Sequence, residues 1–242
     1  MLHGVDAYVA IADLERSHGV AAGRARQAAE LAGVRAGARL LDAGTGQGWH
    51  AIALAAWHRV LGTDTSAELI GLARARAARL PARRRPRFLL APTERLPLPD
   101  ARLDAAFSLG TSLGYGTPDE DRAALDELRR VLAPGARLVL EAASVTGMAA
   151  RPPVSVRAFG EARVSYAPVV DGASGRVAEA QRLVRADGED GEYTYALRAY
   201  DAGELDAMLR DAGFAGVAIH GALDGRRWRE EDPVIAVARA PL

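Results

Sequence analysis

From residue 38 to about residue 143 the chain repeats one unit: a short apolar run, a loop, and a longer alanine-rich segment with apolar residues at helical spacing. The runs at 39–41, 59–62, 87–90, 103–108 and 137–141 predict strands, and the segments 49–56, 67–80 and 118–132 predict helices. Regular alternation of the two predicts a parallel sheet, because parallel neighbours need a crossover long enough to hold a helix. Asp119 and Glu120 open the last of these helices and Arg129 and Arg130 close it, matching the helix dipole. Pro134-Gly135 follows as a stop signal.

Beyond residue 150 the period changes. The segments 163–169, 176–184 and 193–199 alternate apolar and polar positions between Gly/Asp turns, which predicts an antiparallel meander inserted after the fifth strand. A helix at 202–212, ended by Gly213, leads to closing strands at 217–221 and 234–239 with a loop at 223–233 between them. Two helices, near 6–16 and 21–32, precede the first strand. No internal repeat or low-complexity linker appears.

Composition narrows the class. The 242 residues are 49% hydrophobic, enough for a substantial core. With 31 basic and 31 acidic residues the chain has no net charge, so nucleic acid and acidic membranes are not expected partners. Arg83-Arg84-Arg85 is the one basic run and reads as a solvated loop. Without cysteine there is neither a disulfide framework nor a thiolate metal site, and no His/Asp/Glu cluster has metal-ligand spacing. No stretch is long and apolar enough to span a membrane, nor does the N-terminus read as a signal peptide, so a cytoplasmic location is expected. Lysine and asparagine are both missing, as in a GC-rich genome, which discounts arginine abundance as ligand chemistry.

The densest chemical signal is Leu40-Leu41-Asp42-Ala43-Gly44-Thr45-Gly46-Gln47-Gly48-Trp49. An apolar strand delivers an acidic residue, then a glycine-spaced turn, then a helix. Such glycines let the backbone turn tightly and approach a nucleotide closely. The spacing is G-x-G-x-G, one residue short of the dinucleotide fingerprint, and Asp42 suits a ligand with an ammonium or hydroxyls rather than a pyrophosphate. Asp64 ends the second strand, where a carboxylate either accepts ribose hydroxyls or caps the helix starting near Ser66.

Four segments in order, LLDAGTGQG, GTD, TERLPLPDARLDAAFSL and LRRVLAPGARLVLE, resemble the class I S-adenosylmethionine-dependent methyltransferases, and nearly the whole chain follows the small-molecule members. The resemblance implies a Rossmann-like α/β fold. Its seven-stranded, mostly parallel sheet has the last strand antiparallel, helices on both faces, and an antiparallel β lid after strand 5. It divides the chain into N-terminal helices covering the site (1–36), a cofactor-binding core (37–146), a β-rich substrate lid (147–200) and a closing helix and strands (201–242). It further implies S-adenosyl-L-methionine as cofactor, with S-adenosyl-L-homocysteine as product. Gly44, Thr45, Gly46 and Gly48 would line the methionine portion and Asp42 would face its ammonium. Asp64 would take the ribose hydroxyls, Thr65 would pack on the adenine, and Thr93 and Glu94 would flank the adenine edge. Leu109 would lie by the donor methyl, and Arg24 would pair with the cofactor carboxylate. The family commonly has an aspartate for the adenine amino group where this chain has Pro92.

Methyl transfer from a sulfonium is an in-line displacement, so alignment and exclusion of water matter more than a strong base. An amine need only be neutral, whereas a hydroxyl or acidic carbon must lose a proton. Tyr115, His220 and Glu141 are the catalytic candidates, and Tyr8, Ser112, Tyr115, Arg198, Tyr200 and His220 those for the acceptor. Each has a structural alternative: Glu141 as a partner of Arg198, Tyr200 as packing, His220 as a hydrogen-bonded strand end. Leu109-Gly110-Thr111-Ser112 stands where an Asn/Asp-Pro-Pro-aromatic tetrapeptide would grip a planar amino group, which disfavours nucleic-acid bases as acceptors. The expected reaction is N- or O-methylation of a small molecule, with secondary metabolism as a setting and a homodimer left open. C-methylation and a non-catalytic cofactor-binding sensor remain alternatives. A nicotinamide-dependent oxidoreductase is opposed by the glycine spacing and by the absence of any lysine for a Tyr-x-x-x-Lys pair.

Overall fold

Leu40 and Leu41 are neighbours in one strand, and both are fully buried, which demands cover on both faces of their sheet. The computed structural model describes residues 1–15 and 18–242. The order is β1 (Leu2–His3), α1 (Gly4–Glu15), α2 (His18–Ala32), β2 (Arg39–Ala43), α3 (Trp49–Leu54), β3 (Arg59–Asp64), α4 (Ala67–Ala78), β4 (Arg87–Leu90), β5 (Leu103–Ser108), α5 (Pro118–Val131) and β6 (Leu132–Ala142). Then come α6 (Val145–Ala149), β7 (Ser155–Phe159), β8 (Ala162–Asp171), β9 (Arg176–Val184), β10 (Gly191–Arg198), α7 (Ala202–Asp211), β11 (Ala215–His220) and β12 (Val234–Arg239).

The seven-stranded sheet has the order β11-β12-β6-β5-β2-β3-β4. Pairing from β6 through β4 is parallel, while β12 runs antiparallel to both β6 and β11, as the sequence predicts. Leu41, Leu138 and Leu140 point to one side, against Leu125 and Leu128 of α5 and Leu205 and Leu209 of α7. Leu40, Phe107 and Val139 point to the other, against Ala28, Leu54 and Ile70. Period-two alternation along each strand thus selects which helix layer each residue meets. The chain winds outward from β2 to β4 and then crosses back to β5. The carboxyl ends of β2 and β5 therefore flank a switch point, the crevice where open α/β sheets bind ligands.

Helix α5 begins with a reciprocal cap: Thr117 Oγ1 accepts from Glu120 N at 3.2 Å, and Glu120 Oε2 accepts from Thr117 N at 2.7 Å, with Pro118 at the first helical position. Its other end differs from expectation. Strand β6 starts at Leu132, where α5 ends, and Pro134-Gly135 lies within it as an irregularity: pairing jumps from Leu103↔Leu132 to Ala105↔Arg137. Gly135, with φ 76°, supplies the conformation such a bulge requires.

The second sheet has the order β1-β10-β9-β8-β7 and is antiparallel apart from the short β1. It contains the predicted three-stranded meander and two strands that sequence patterning missed. Strand β7 is an edge strand with mostly exposed side chains, so it carries no burial alternation to read. Helix α1 packs on this sheet through Ile11, which meets Val164, Tyr166 and Leu183. The predicted end of this helix, Arg16, lies outside the described residues. No helix among the described residues is long and apolar enough to cross a membrane.

Candidate active site

The turn after β2 is fixed from below. Asp42, 1% exposed, accepts from Thr45 Oγ1 at 2.6 Å, and Thr45 N donates to Thr63 O at 2.8 Å. Gly44, Gly46 and Gly48 all have left-handed backbones, with φ of 67°, 55° and 85°. Their surroundings differ. A Cβ on Gly44 would overlap the Ser112 side chain, and one on Gly48 would lie 2.9 Å from both Ala73 Cβ and Phe88 Cζ. A Cβ on Gly46 would meet nothing nearer than Tyr8 Oη at 3.4 Å. The protein itself fills the space beside Gly44 and Gly48; Gly46 is the position that opens outward.

Asp64 governs that position. Its Oδ2 accepts from Gly46 N at 2.8 Å and its Oδ1 from Ser66 N at 2.9 Å, while α4 is capped by Ser66 Oγ, which accepts from Leu69 N at 3.2 Å. Asp64 is therefore not the helix cap; it joins the ends of β2 and β3. Two buried polar atoms beside this junction, Gln47 Nε2 and Thr63 Oγ1, have no hydrogen-bond partner. An open glycine, a carboxylate on its amide and two unused polar atoms fit a ligand with hydroxyls and an amino-acid moiety.

Helix α1 roofs the cradle. Asp13 accepts from both Arg76 Nη2 (2.8 Å) and Trp49 Nε1 (3.1 Å), and the Arg76 guanidinium stacks 4.5 Å from the Trp49 ring centroid. Tyr8, five residues earlier, stands over Gly46.

The loop after β5 forms the opposite wall. Ser112 packs on Gly44, and its Oγ is 2.6 Å from Ser108 Oγ. Glu141 Oε2 accepts from Gly110 N at 2.6 Å and from Arg24 Nη2. This corrects one expectation: Glu141 pairs with Arg24 rather than with Arg198, which pairs with Glu204 instead. Glu141 is held as a strut beneath the loop. Leu109 is buried and packs with the sheet's second face.

Thr111 has φ 59°, a left-handed backbone that is uncommon for a β-branched residue, and its Oγ1 donates to Gly110 O at 2.7 Å. Such strain points to a positional requirement. Thr111→Gly relieves it but frees the unfolded chain, so stability should change by less than about 1 kcal/mol. Turnover should still fall about tenfold as the loop loses its set position, which thermal unfolding and steady-state kinetics would resolve.

Between α1, this loop and the second sheet lies a cavity of about 250 Å³. Of the sequence candidates, Tyr8 and Tyr115 line it. Ser112, Arg198, Tyr200 and His220 do not: Ser112 faces the cradle, Tyr200 is buried and donates to Asp121, and His220 Nδ1 lies 3.0 Å from Gly225 O at the far edge of the sheet. Sequence reasoning missed the polar wall built by the second sheet, chiefly Arg151, Tyr166, Glu179 and Tyr195. Burial pushes the Tyr195 phenol above its ordinary pKa, with Glu179 adding to the rise; burial and the Glu15 hydrogen bond do the same for Tyr166. Both phenols stay protonated and donate, Tyr195 to Glu179 at 3.1 Å and Tyr166 to Glu15 at 2.6 Å.

Of the residues expected near the adenine, Thr65 is exposed and Thr93 and Glu94 are half-buried at the start of a loop. Arg130 clamps that loop downstream, donating to Leu98 O at 2.7 Å and Leu96 O at 3.1 Å, while Glu127 accepts from Leu96 N at 2.8 Å. Paired hydrogen bonds from Arg130 hold the Glu127 carboxyl below its ordinary pKa. A depressed carboxylate stabilises the fold fully above its unfolded pKa, and that stability is lost as pH falls through the folded one. Glu127→Gln should therefore lower stability by about 2 kcal/mol at neutral pH. The difference should vanish in acid when melting temperatures are compared across pH.

The chain matches the methyltransferase domain family over residues 40–135, from β2 to the start of β6. It is 33% identical over 198 residues to a demethylmenaquinone methyltransferase of Thermus thermophilus, covering 78% of this chain and 80% of that one. It is 30% identical over 202 residues to a ubiquinone/menaquinone biosynthesis C-methyltransferase of Pseudomonas syringae pv. tomato, covering 81% and 72%. Among solved structures it resembles an amino pentose methyltransferase of Micromonospora echinaspora with S-adenosylmethionine bound, with a TM-score of 0.66, 26% identity, and coverage of 92% of this chain and 91% of that one.

Proposed function

The chain belongs to the class I S-adenosylmethionine-dependent methyltransferases, and we propose on that premise that it methylates a nitrogen or oxygen of a small polar acceptor held in the cavity beside α1. One observation carries the reading. Within three consecutive residues, Ser112 packs on Gly44 of the cradle while Gly110 and Thr111 line the cavity. Tyr8 does the same from above, standing over Gly46 and lining the cavity. A ligand in the cradle and one in the cavity would thus share a wall and a roof.

S-adenosylmethionine supplies a methyl group already activated on a sulfonium. The protein's part is alignment: Gly46 and Asp64 hold the donor, Thr111 and Tyr115 bracket the acceptor, and α1 excludes water. Glu141 and His220 already have partners, Arg24 and Gly110 N for the first and Gly225 O for the second, so positioning rather than a strong base fits this site. Among the acceptors in the relatives' names, the charged and phenolic lining matches a polar amine such as an amino sugar better than a quinone ring. Carbon methylation is the second reading, favoured by the sequence identity to the C-methyltransferase.

The test is release of S-adenosylhomocysteine when the protein and S-adenosylmethionine meet a panel of small amines, alcohols and phenolic carbon acids. Turnover is expected with polar amines or alcohols. Turnover with carbon acids alone would select the second reading, and cofactor binding without any turnover would make the protein a sensor.

A further inference from the structure

Glu179 sits in the middle of β9 and is 2% exposed. A buried carboxylate costs several kcal/mol unless it is well paired, and an apolar residue would usually serve a sheet better. One of its oxygens is well served: Oε1 accepts from Gln181 Nε2 at 2.9 Å and Tyr195 Oη at 3.1 Å. The other, Oε2, is fully buried and accepts no hydrogen bond; its partner is the ion pair with Arg151 Nη1 at 2.6 Å. Arg151 itself is loosely seated. Its side chain is 31% exposed, and its other contacts are Met148 Sδ at 3.4 Å and the Tyr166 ring, 5.9 Å from centroid to guanidinium carbon.

Aromatic rings line the cavity that this carboxylate shares. Tyr8 and Tyr193 have centroids 5.2 Å apart, Tyr193 and Tyr195 6.2 Å, and Tyr195 and Tyr115 6.5 Å, an arc along the cavity that holds Glu179. Aromatic rings and a desolvated carboxylate lining one cavity are the chemistry that holds an ammonium. Resting on the acceptor cavity proposed above, the geometry points to Glu179 as the anchor for a cationic group of the acceptor other than the atom that takes the methyl, with Arg151 as the counter-ion that this group displaces.

A purely structural ion pair would respond alike to loss of either partner. The anchor makes the two losses opposite in sign. Choline and its neutral isostere 3,3-dimethylbutan-1-ol serve as probes, titrated calorimetrically at about pH 8 into protein saturated with S-adenosylhomocysteine. Wild type should prefer choline about tenfold. Glu179→Gln should abolish that preference, whereas Arg151→Gln should tighten choline about threefold or more by removing the competitor. A choline preference that survives Glu179→Gln, a wild type with no preference, or weaker choline binding by Arg151→Gln would each overturn the assignment. If Glu179→Gln fails to fold, the other two arms still decide. Saturation with S-adenosylhomocysteine is measured first, so lost cofactor binding is seen separately, and the acceptor panel above decides the N- or O-methylation reading independently of the anchor.

Discussion

Gly46→Val is expected to abolish binding of S-adenosylmethionine while leaving the protein folded. The two halves of that outcome have separate causes. A branched side chain at φ 55° costs about 1–2 kcal/mol, which a domain stable by about 5–15 kcal/mol survives. A Cβ there would meet nothing nearer than Tyr8 Oη at 3.4 Å, so the substitution begins in open space. The new methyl groups would fill the space between the turn and the roof, where the cofactor's methionine portion is assigned. Affinity should drop about 100-fold or more, about 2.7 kcal/mol, measured by calorimetry. Gly44→Val makes the contrast, because overlap with Ser112 should cost stability as well. Equal cofactor binding by Gly46→Val and wild type would remove the cradle assignment.

Asp64→Ala should have the second-largest effect, and for two reasons. The carboxylate is assigned to the ribose hydroxyls, and it also fixes the turn by accepting from Gly46 N and Ser66 N. Losing charge-assisted hydrogen bonds to the cofactor costs about 1–3 kcal/mol of binding, and freeing the Gly46 amide adds to that. Melting temperature should fall by a few degrees, about 1 kcal/mol of stability, since two backbone donors lose their acceptor. Asp64→Asn keeps one acceptor oxygen and should recover part of the stability but little of the affinity. Unchanged affinity in Asp64→Ala would mean the ribose lies elsewhere.

Much of the fold was legible because both faces of the parallel strands are buried, and Leu40, Leu41, Phe107 and Leu138 to Leu140 form apolar runs that no surface strand would carry. The glycine turn was equally plain, since its φ values admit little else. Which glycine opens to the ligand was hidden: Gly44 and Gly48 owe their identity to Ser112 and Phe88, residues 68 and 40 positions downstream respectively. Pairings across such distances leave no local pattern, which is why Arg24 and Glu141 read as separate candidates rather than as each other's partner.

The acceptor side was the least legible part. Glu179 and Tyr195 lie on alternating strands, where polar residues ordinarily face solvent, and nothing in a period of two reports that α1 and the loop after β5 cover this face. His220 shows the other side of this. A histidine at a strand end resembles a base, and only the fold reveals that β11 is the sheet's edge and that the ring Nδ1 meets Gly225 O. Tyr200 looked like a ligand contact because it follows the meander; its hydroxyl reaches Asp121, which also accepts from Gly114 N at 3.0 Å and so ties the segment after β10 to the loop before α5.

A crystal structure with S-adenosylhomocysteine bound would show whether one crevice holds the donor in the Gly46 cradle and presents its sulfur to the cavity beneath Tyr8. Ribose hydroxyls are expected within hydrogen-bond distance of Asp64, the amino-acid portion against Gly46, and the sulfur at the cavity mouth beside Gly110 and Thr111. A cofactor seated away from Asp64, or one whose sulfur faces away from that cavity, would contradict this arrangement.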